Sequence, residues 1–216
     1  MRSETAPYRF FPRQMRLYAE PIHSILVIGV PTALQSVMYS ASNLFIQAAI
    51  NSFSTDAVAA WTAYGKLDVF FWMTITAMSQ SLTTFAGQNY GAGQYERLKQ
   101  SVRVSTAMMA GFTLAISAAM FLLARPLVAF FCPDDDVLAI GIELVRFLVP
   151  TYITYILIEL LTGAIRGAGK SLIPMVISVL GVCVLRLAWL FFVVPVHHTL
   201  LMVAASYPIT WTITSA

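Results

Sequence analysis

The chain has 216 residues, 58% of them hydrophobic and 11% charged, with 13 basic against 10 acidic side chains and a formal charge of +3. Soluble domains carry about 25% charged residues, so this composition cannot furnish a water-facing surface and excludes an ordinary soluble domain. The charges crowd into short segments between long apolar runs, the pattern of an all-α, multi-pass integral membrane protein.

The first 24 residues interleave Arg2, Arg9, Arg13 and Arg16 with Tyr8, Phe10, Phe11, Leu17 and Tyr18. No early apolar core precedes a small-residue cleavage site, which excludes a secretory signal peptide. Residues 1–24 read as a cytoplasmic amphipathic linker on the membrane surface, with a disordered basic leader as the alternative. Residues 25–216 read as a transmembrane lobe with helices at about 25–50, 57–85, 102–123, 137–162, 172–194 and 200–216. The first five are long enough for a hydrocarbon layer of about 30 Å. The sixth is shorter and ends on "WTITSA" with no basic flank, so the chain is expected to break off inside a helix.

Charge sets the expected topology. With the N-terminus inside, one side collects Arg2, Arg9, Arg13, Arg16, Arg97, Lys99, Arg103, Arg166 and Lys170, while the other holds only Arg125 beside Asp56, Asp134, Asp135 and Asp136. The positive-inside rule then places the N-terminus in the cytoplasm. Six charges remain within the spans: Lys66, Arg146, Arg186, Asp68, Glu143 and Glu159. Each alone costs ~2.5–3.5 kcal/mol at a helix centre, so they are expected to compensate one another and to face the bundle or a wet cavity. Lys66 and Asp68 fall about 13 to 17 Å below the outer start of the second span, near the midplane, with Arg186 at similar depth. Glu143 and Arg146, spaced i,i+3, are expected to pair as a structural clasp.

Polar side chains recur every four residues on three spans: Gln35, Tyr39, Asn43 and Gln47 on the first; Asp68, Trp72, Thr76 and Gln80 on the second; Thr151, Tyr155 and Glu159, then Thr162, on the fourth. Such stripes serve either a shared aqueous cavity or buried helix-to-helix hydrogen bonds. Three stripes together with midplane charges favour the cavity. Pro31, Pro150, Pro174 and Pro208 are expected to kink or interrupt their helices, and Met108 and Met109 could give an adaptable apolar wall. His23, His197 and His198 lie at membrane edges without metal-ligand partners at useful spacing. Cys132 and Cys183 give no disulfide framework, and no serine has an adjacent base. No enzyme constellation, cofactor or metal site is expected, and no nucleic-acid partner.

"GAIRGAGKSLIP" (Gly163 to Pro174) approaches the phosphate-binding pattern G-x-x-x-x-G-K-[ST], but Ala164 stands where the first glycine belongs. It also follows a long apolar span rather than a short strand. A tight turn at the cytoplasmic face, permitted by Gly167 and Gly169 and held by Arg166 and Lys170, is the better reading.

Three stretches resemble the multidrug and toxic compound extrusion (MATE) transporters: "GVPTALQSVMYSASNLFIQAAINSFSTDAVAAW" (Gly29 to Trp61), "GQNYGAGQYERLKQSVRV" (Gly87 to Val104) and "IELLTGAIRGAGKSLIPMVISVLGVCVLRLAW" (Ile158 to Trp189). The resemblance implies one six-helix lobe of a two-lobe transporter that exchanges cationic or amphipathic drugs for Na⁺ or H⁺ by alternating access in the bacterial plasma membrane. The basic leader and "VLRLAW" are similar to second-lobe sequences, which implies helices seven to eleven and most of twelve. One branch of the family places a glutamate where this chain has Tyr39 and an aspartate where it has Tyr155, so cation coordination by that pair is not implied here. Gln35, Tyr39, Asn43, Lys66, Asp68, Trp72, Tyr155, Glu159 and Arg186 are the candidate substrate and ion cavity. The partners implied are membrane lipid, a small amphipathic or cationic substrate, and a missing N-terminal lobe from the same chain or a second copy. Two alternatives remain: a lipid-linked oligosaccharide flippase of the same superfamily, and a non-transporting structural membrane subunit.

Overall fold

The computed structural model describes residues 16–216, so most of the expected linker lies outside the described residues. Among the described residues the chain is all-helical, without a strand. We label the elements α1 (Ala19–Ile50), α2 (Thr55–Gly91), α3 (Tyr95–Leu122), α4 (Ala124–Phe131), α5 (Asp135–Gly167), α6 (Leu172–Phe192) and α7 (Leu200–Ser215). Of these α1, α3, α5 and α6 are long and apolar enough to cross a membrane.

Side-chain caps set several starts. Ser54 Oγ accepts the Ala57 N–H at 3.3 Å, Asp134 Oδ1 those of Asp136 and Val137 at 3.0 and 3.4 Å, and Thr199 Oγ1 that of Met202 at 3.2 Å. Helix α3 begins at Tyr95, earlier than the apolar run from 102, because "YERLKQS" consists largely of good helix formers and carries a Glu96–Lys99 ion pair at 2.8 Å. Hydropathy alone misses such a polar first turn. Lys99 also holds the exposed Glu96 carboxyl below its usual range.

Contacts at the helix ends sort the connections. Ser171 Oγ donates to the Val27 carbonyl at 2.9 Å, and Gly87 lies against the Gly167 backbone, so the α1 start, the α2–α3 turn and the α5–α6 turn share one end. At the opposite end His198 stacks on Phe53 with ring centroids 4.4 Å apart and reaches Ser52 Oγ at 3.3 Å. The first end holds the segments carrying Arg16, Arg97, Lys99, Arg103, Arg166 and Lys170.

Two long helices change pitch. Within α5 an α-helical part to Leu148 passes into a 3₁₀ stretch, Val149–Thr154, with Pro150 in its first turn, before α-helix resumes at Ile156. Within α6 a π-helical turn, Val179–Val184, lies between two α-helical parts. Pro174 does not interrupt α6: it occupies the first turn, where its missing N–H has no helical partner to lose. Gly169, at φ +82°, makes the α5–α6 turn in a backbone region that other residues rarely adopt. Ala164, the residue that spoils the phosphate-loop pattern, is simply part of the preceding helix.

A seam of small residues joins α5 to α2. A Cβ on Gly163 would meet Ser79 and Thr83, and one on Gly167 would strike the Thr83 carbonyl and Ala86. Close approach lets Ser79 Oγ donate to the Glu159 carbonyl at 3.1 Å and Thr83 Oγ1 to the Gly163 carbonyl at 2.9 Å. Phe71, Ile75, Leu144, Leu148, Tyr152 and Trp211 fill the core beside this seam, while α1 stands at the margin with Leu34, Val37, Leu44 and Phe45 outward.

The expected Glu143–Arg146 clasp is absent. Both side chains are exposed, Arg146 sits over the Phe121 ring at 5.6 Å, and Glu96–Lys99 is the only ion pair among the described residues. An i,i+3 spacing brings the Cβ atoms near each other but leaves long exposed side chains free to part.

Candidate functional site

A cleft of about 490 Å³ lies between α1, α2, α5, α6 and α7. From α1 it takes Thr32, Gln35, Ser36, Tyr39 and Asn43, which the recurrence of every three to four residues places on one face. Helix α2 contributes Asp68 and Trp72, and α5 contributes Tyr155, Glu159 and Arg166. The remaining wall is Arg186 from α6 with Tyr207 and Trp211 from α7.

Eight candidate residues thus come together: Gln35, Tyr39, Asn43, Asp68, Trp72, Tyr155, Glu159 and Arg186. Lys66 does not. It is exposed on the outer face of α2, because two residues along a helix correspond to a rotation of about 200° from Asp68. Thr76 and Gln80 are exposed too, outside the cleft, since a four-residue repeat drifts about 40° each time. Gln47 turns to its own helix end, donating to Asn51 Oδ1 at 2.9 Å.

The expected mutual compensation of charges also fails. Among the described residues neither acid in the cleft lies within ion-pair distance of a base. Neutral donors take that role instead. Asp68 accepts from Trp72 Nε1 at 2.6 Å through one oxygen and from the Tyr152 hydroxyl at 2.5 Å through the other. Tyr64 and Tyr152 hydroxyls lie 3.1 Å apart, extending the chain. Glu159 accepts from the Tyr155 hydroxyl at 3.0 Å.

The two guanidinium groups are held more loosely. Arg166 Nη2 donates to Gln35 Oε1 at 3.4 Å, and Arg186 Nη1 to Asn43 Oδ1 at 3.4 Å. Arg186 also lies over the Tyr207 ring at 4.1 Å. Behind them runs an aromatic wall: Trp72 meets Tyr155 edge-on at 4.7 Å, and Trp211 meets Tyr155 at 5.3 Å and Tyr207 at 5.5 Å. Such a site offers flat apolar area with charges of both signs, which suits recognition of an aromatic or amphipathic organic molecule. Among the described residues no cluster of three or more His, Cys, Asp or Glu could hold a metal ion.

Sequence reasoning missed Arg166, Tyr152, Tyr207 and Trp211. The sequence alone places Arg166 in the turn after α5, whereas it belongs to the last helical turn. Tyr207 and Trp211 carry a readable signal, an i,i+4 aromatic pair on α7.

Known proteins place these features in context. The MatE family model matches residues 31–192. The "Probable multidrug resistance protein YoeA" of Bacillus subtilis is 22% identical over 170 residues, 79% of this chain and 37% of that protein. An "FAD transporter" of Shewanella oneidensis is 32% identical over 111 residues, 51% of this chain and 25% of its own. Among solved structures, the Vibrio cholerae MATE transporter VcmN superposes with a TM-score of 0.85 at 21% identity, covering 95% of this chain and 47% of that one. A MOP superfamily transporter from Pyrococcus furiosus gives 0.84 at 18% identity over 95% and 46%. The chain therefore spans less than half the length of each of these proteins, and it shares the fold of one half of the solved transporters.

Proposed function

We propose, from the premise that the chain belongs to the MatE family of multi-pass membrane transporters, that it is the second, six-helix lobe of a multidrug efflux antiporter. Its complete form exports drugs or toxic organic molecules by alternating access, coupled to inward Na⁺ or H⁺, across a bacterial plasma membrane. The other lobe comes from the same polypeptide or a second copy, and the basic end of the bundle faces the cytoplasm.

The observation that carries the reading is the cleft itself, where Asp68 and Glu159 stand beside an aromatic wall within a membrane-spanning bundle. A carboxyl held only by neutral donors can change its protonation or cation occupancy without breaking an ion pair, which is what coupling requires. Proline within α1 and α7 and the pitch changes in α5 and α6 supply places where helices bend between two states. Multidrug resistance proteins among the relatives support export of drugs. The relative described as an FAD transporter supports a substrate range that reaches larger aromatic molecules.

The test replaces Asp68→Asn and Glu159→Gln in the complete transporter. Either change at a coupling site lowers drug resistance at unchanged expression. Unimpaired efflux in both would remove these residues from coupling.

A further inference from the structure

We infer that Arg186 is an anion-recognition residue, so that the cleft takes a planar aromatic molecule bearing a carboxylate, sulfonate or phosphate rather than a simple aromatic cation. This rests on reading the cleft as the substrate path.

The acids and bases of the cleft differ in how far they are satisfied. Both oxygens of Asp68 and one of Glu159 already accept hydrogen bonds from ring hydroxyls or an indole. Arg186 is 2% exposed, yet among the described residues its one hydrogen bond is a long contact to a neutral amide, and its Nε has no partner. Arg166 is half-buried and, among the described residues, has one long bond to Gln35 and an unpartnered Nε. A buried guanidinium with most of its five donors unused is costly and calls for an acceptor. The guanidinium carbon of Arg186 lies 4.1 Å over the Tyr207 ring, and a guanidinium is the side chain best suited to a planar, bidentate acceptor. Trp72 and Trp211 line the same cleft and offer flat area to a ring joined to that acid. Asn43 is exposed, so an incoming acid displaces only a weak neutral contact.

Fluorescein and rhodamine 123 share a three-ring core and carry opposite charges. Their binding is measured by fluorescence anisotropy with this chain in its complete transporter, in phosphatidylcholine nanodiscs. Fluorescein is expected to bind more tightly than rhodamine 123, and Arg186→Gln to weaken fluorescein about tenfold or more, the scale of a lost charge-assisted hydrogen bond, with little effect on rhodamine.

Since Arg186→Gln could disturb folding, Asn43→Asp serves as the second variant. It keeps the arginine, adds a carboxylate at an exposed position facing it, and is expected to weaken fluorescein while improving rhodamine. Added phosphatidylglycerol is expected to leave fluorescein bound; its displacement would make a lipid headgroup the occupant and overturn the assignment. Tighter rhodamine binding, or fluorescein insensitive to both variants, would also overturn it. Trp72→Ala separates the two levels. Weakening of both dyes keeps the cleft as the substrate path whatever the arginine result, whereas no effect on either dye removes the cleft reading itself.

Discussion

Tyr152 donates its hydroxyl to Asp68 at 2.5 Å although the two residues are 84 positions apart in the chain. The bond ties the 3₁₀ stretch of α5 to the middle of α2 and, with Trp72, gives both oxygens of a carboxyl a donor where no base among the described residues lies within ion-pair distance. Tyr152→Phe removes one donor and leaves that oxygen without a partner, at a cost of about 1–3 kcal/mol. The variant is expected to express, to unfold at lower temperature in detergent, and to lose efflux. Tyr64→Phe, one step further from the carboxyl, is expected to have the smaller effect on both.

Close packing of α5 on α2 is tested by adding single methyl groups. Gly167→Ala drives a Cβ into the Thr83 carbonyl, where backbone cannot yield, whereas a Cβ on Gly29 meets nothing within 4 Å. Overpacking of the first kind costs about 1–3 kcal/mol. Thermal unfolding in detergent is therefore expected to fall for Gly167→Ala and not for Gly29→Ala. Equal behaviour of the two variants would contradict the seam.

Glu143 and Arg146 give the opposite expectation. They are exposed and unpaired with each other, so Glu143→Gln, Arg146→Gln and the double change are each expected within about 0.5 kcal/mol of the parent. A double-mutant cycle is expected to return a coupling near zero, and a coupling above about 0.5 kcal/mol would restore the clasp.

The proposed orientation is open to labelling on intact cells. In a Cys132→Ser background, a membrane-impermeant maleimide is expected to modify Asp135→Cys and not Lys170→Cys. The reverse pattern would place the basic end outside.

Much of the cleft was legible because helical periodicity survives in a membrane. The α1 stripe put Gln35, Tyr39 and Asn43 on one face, and Tyr155 and Glu159 repeat that spacing on α5. Thr76 and Gln80 leave the cleft through accumulated drift, and Lys66 shares the depth of Asp68 but is rotated away from it. Partners were the hidden part. Nothing local to Asp68 announces Tyr152, whose position depends on how a 3₁₀ stretch re-aims one side chain across the bundle. The polar ends of α2, α3 and α5 extend past the apolar runs and are set by capping and helix propensity.

The π turn of α6 stores a rotation. It spans Val179–Val184, ending two residues before Arg186, and a π turn uses i→i+5 bonds where an α turn uses i→i+4. Passing it along the helix turns each residue it crosses by about 100° without moving the helix ends. Arg186 would swing away from Tyr207 and the cleft, giving the chain a means of withdrawing its charge that needs no lobe movement. Cys183 sits within that turn and is fully buried, so it is a natural reporter. Alkylation of Cys183 in a Cys132→Ser background is expected to be slow with fluorescein bound and faster without it, and a rate indifferent to the dye would show that the turn stays where it is.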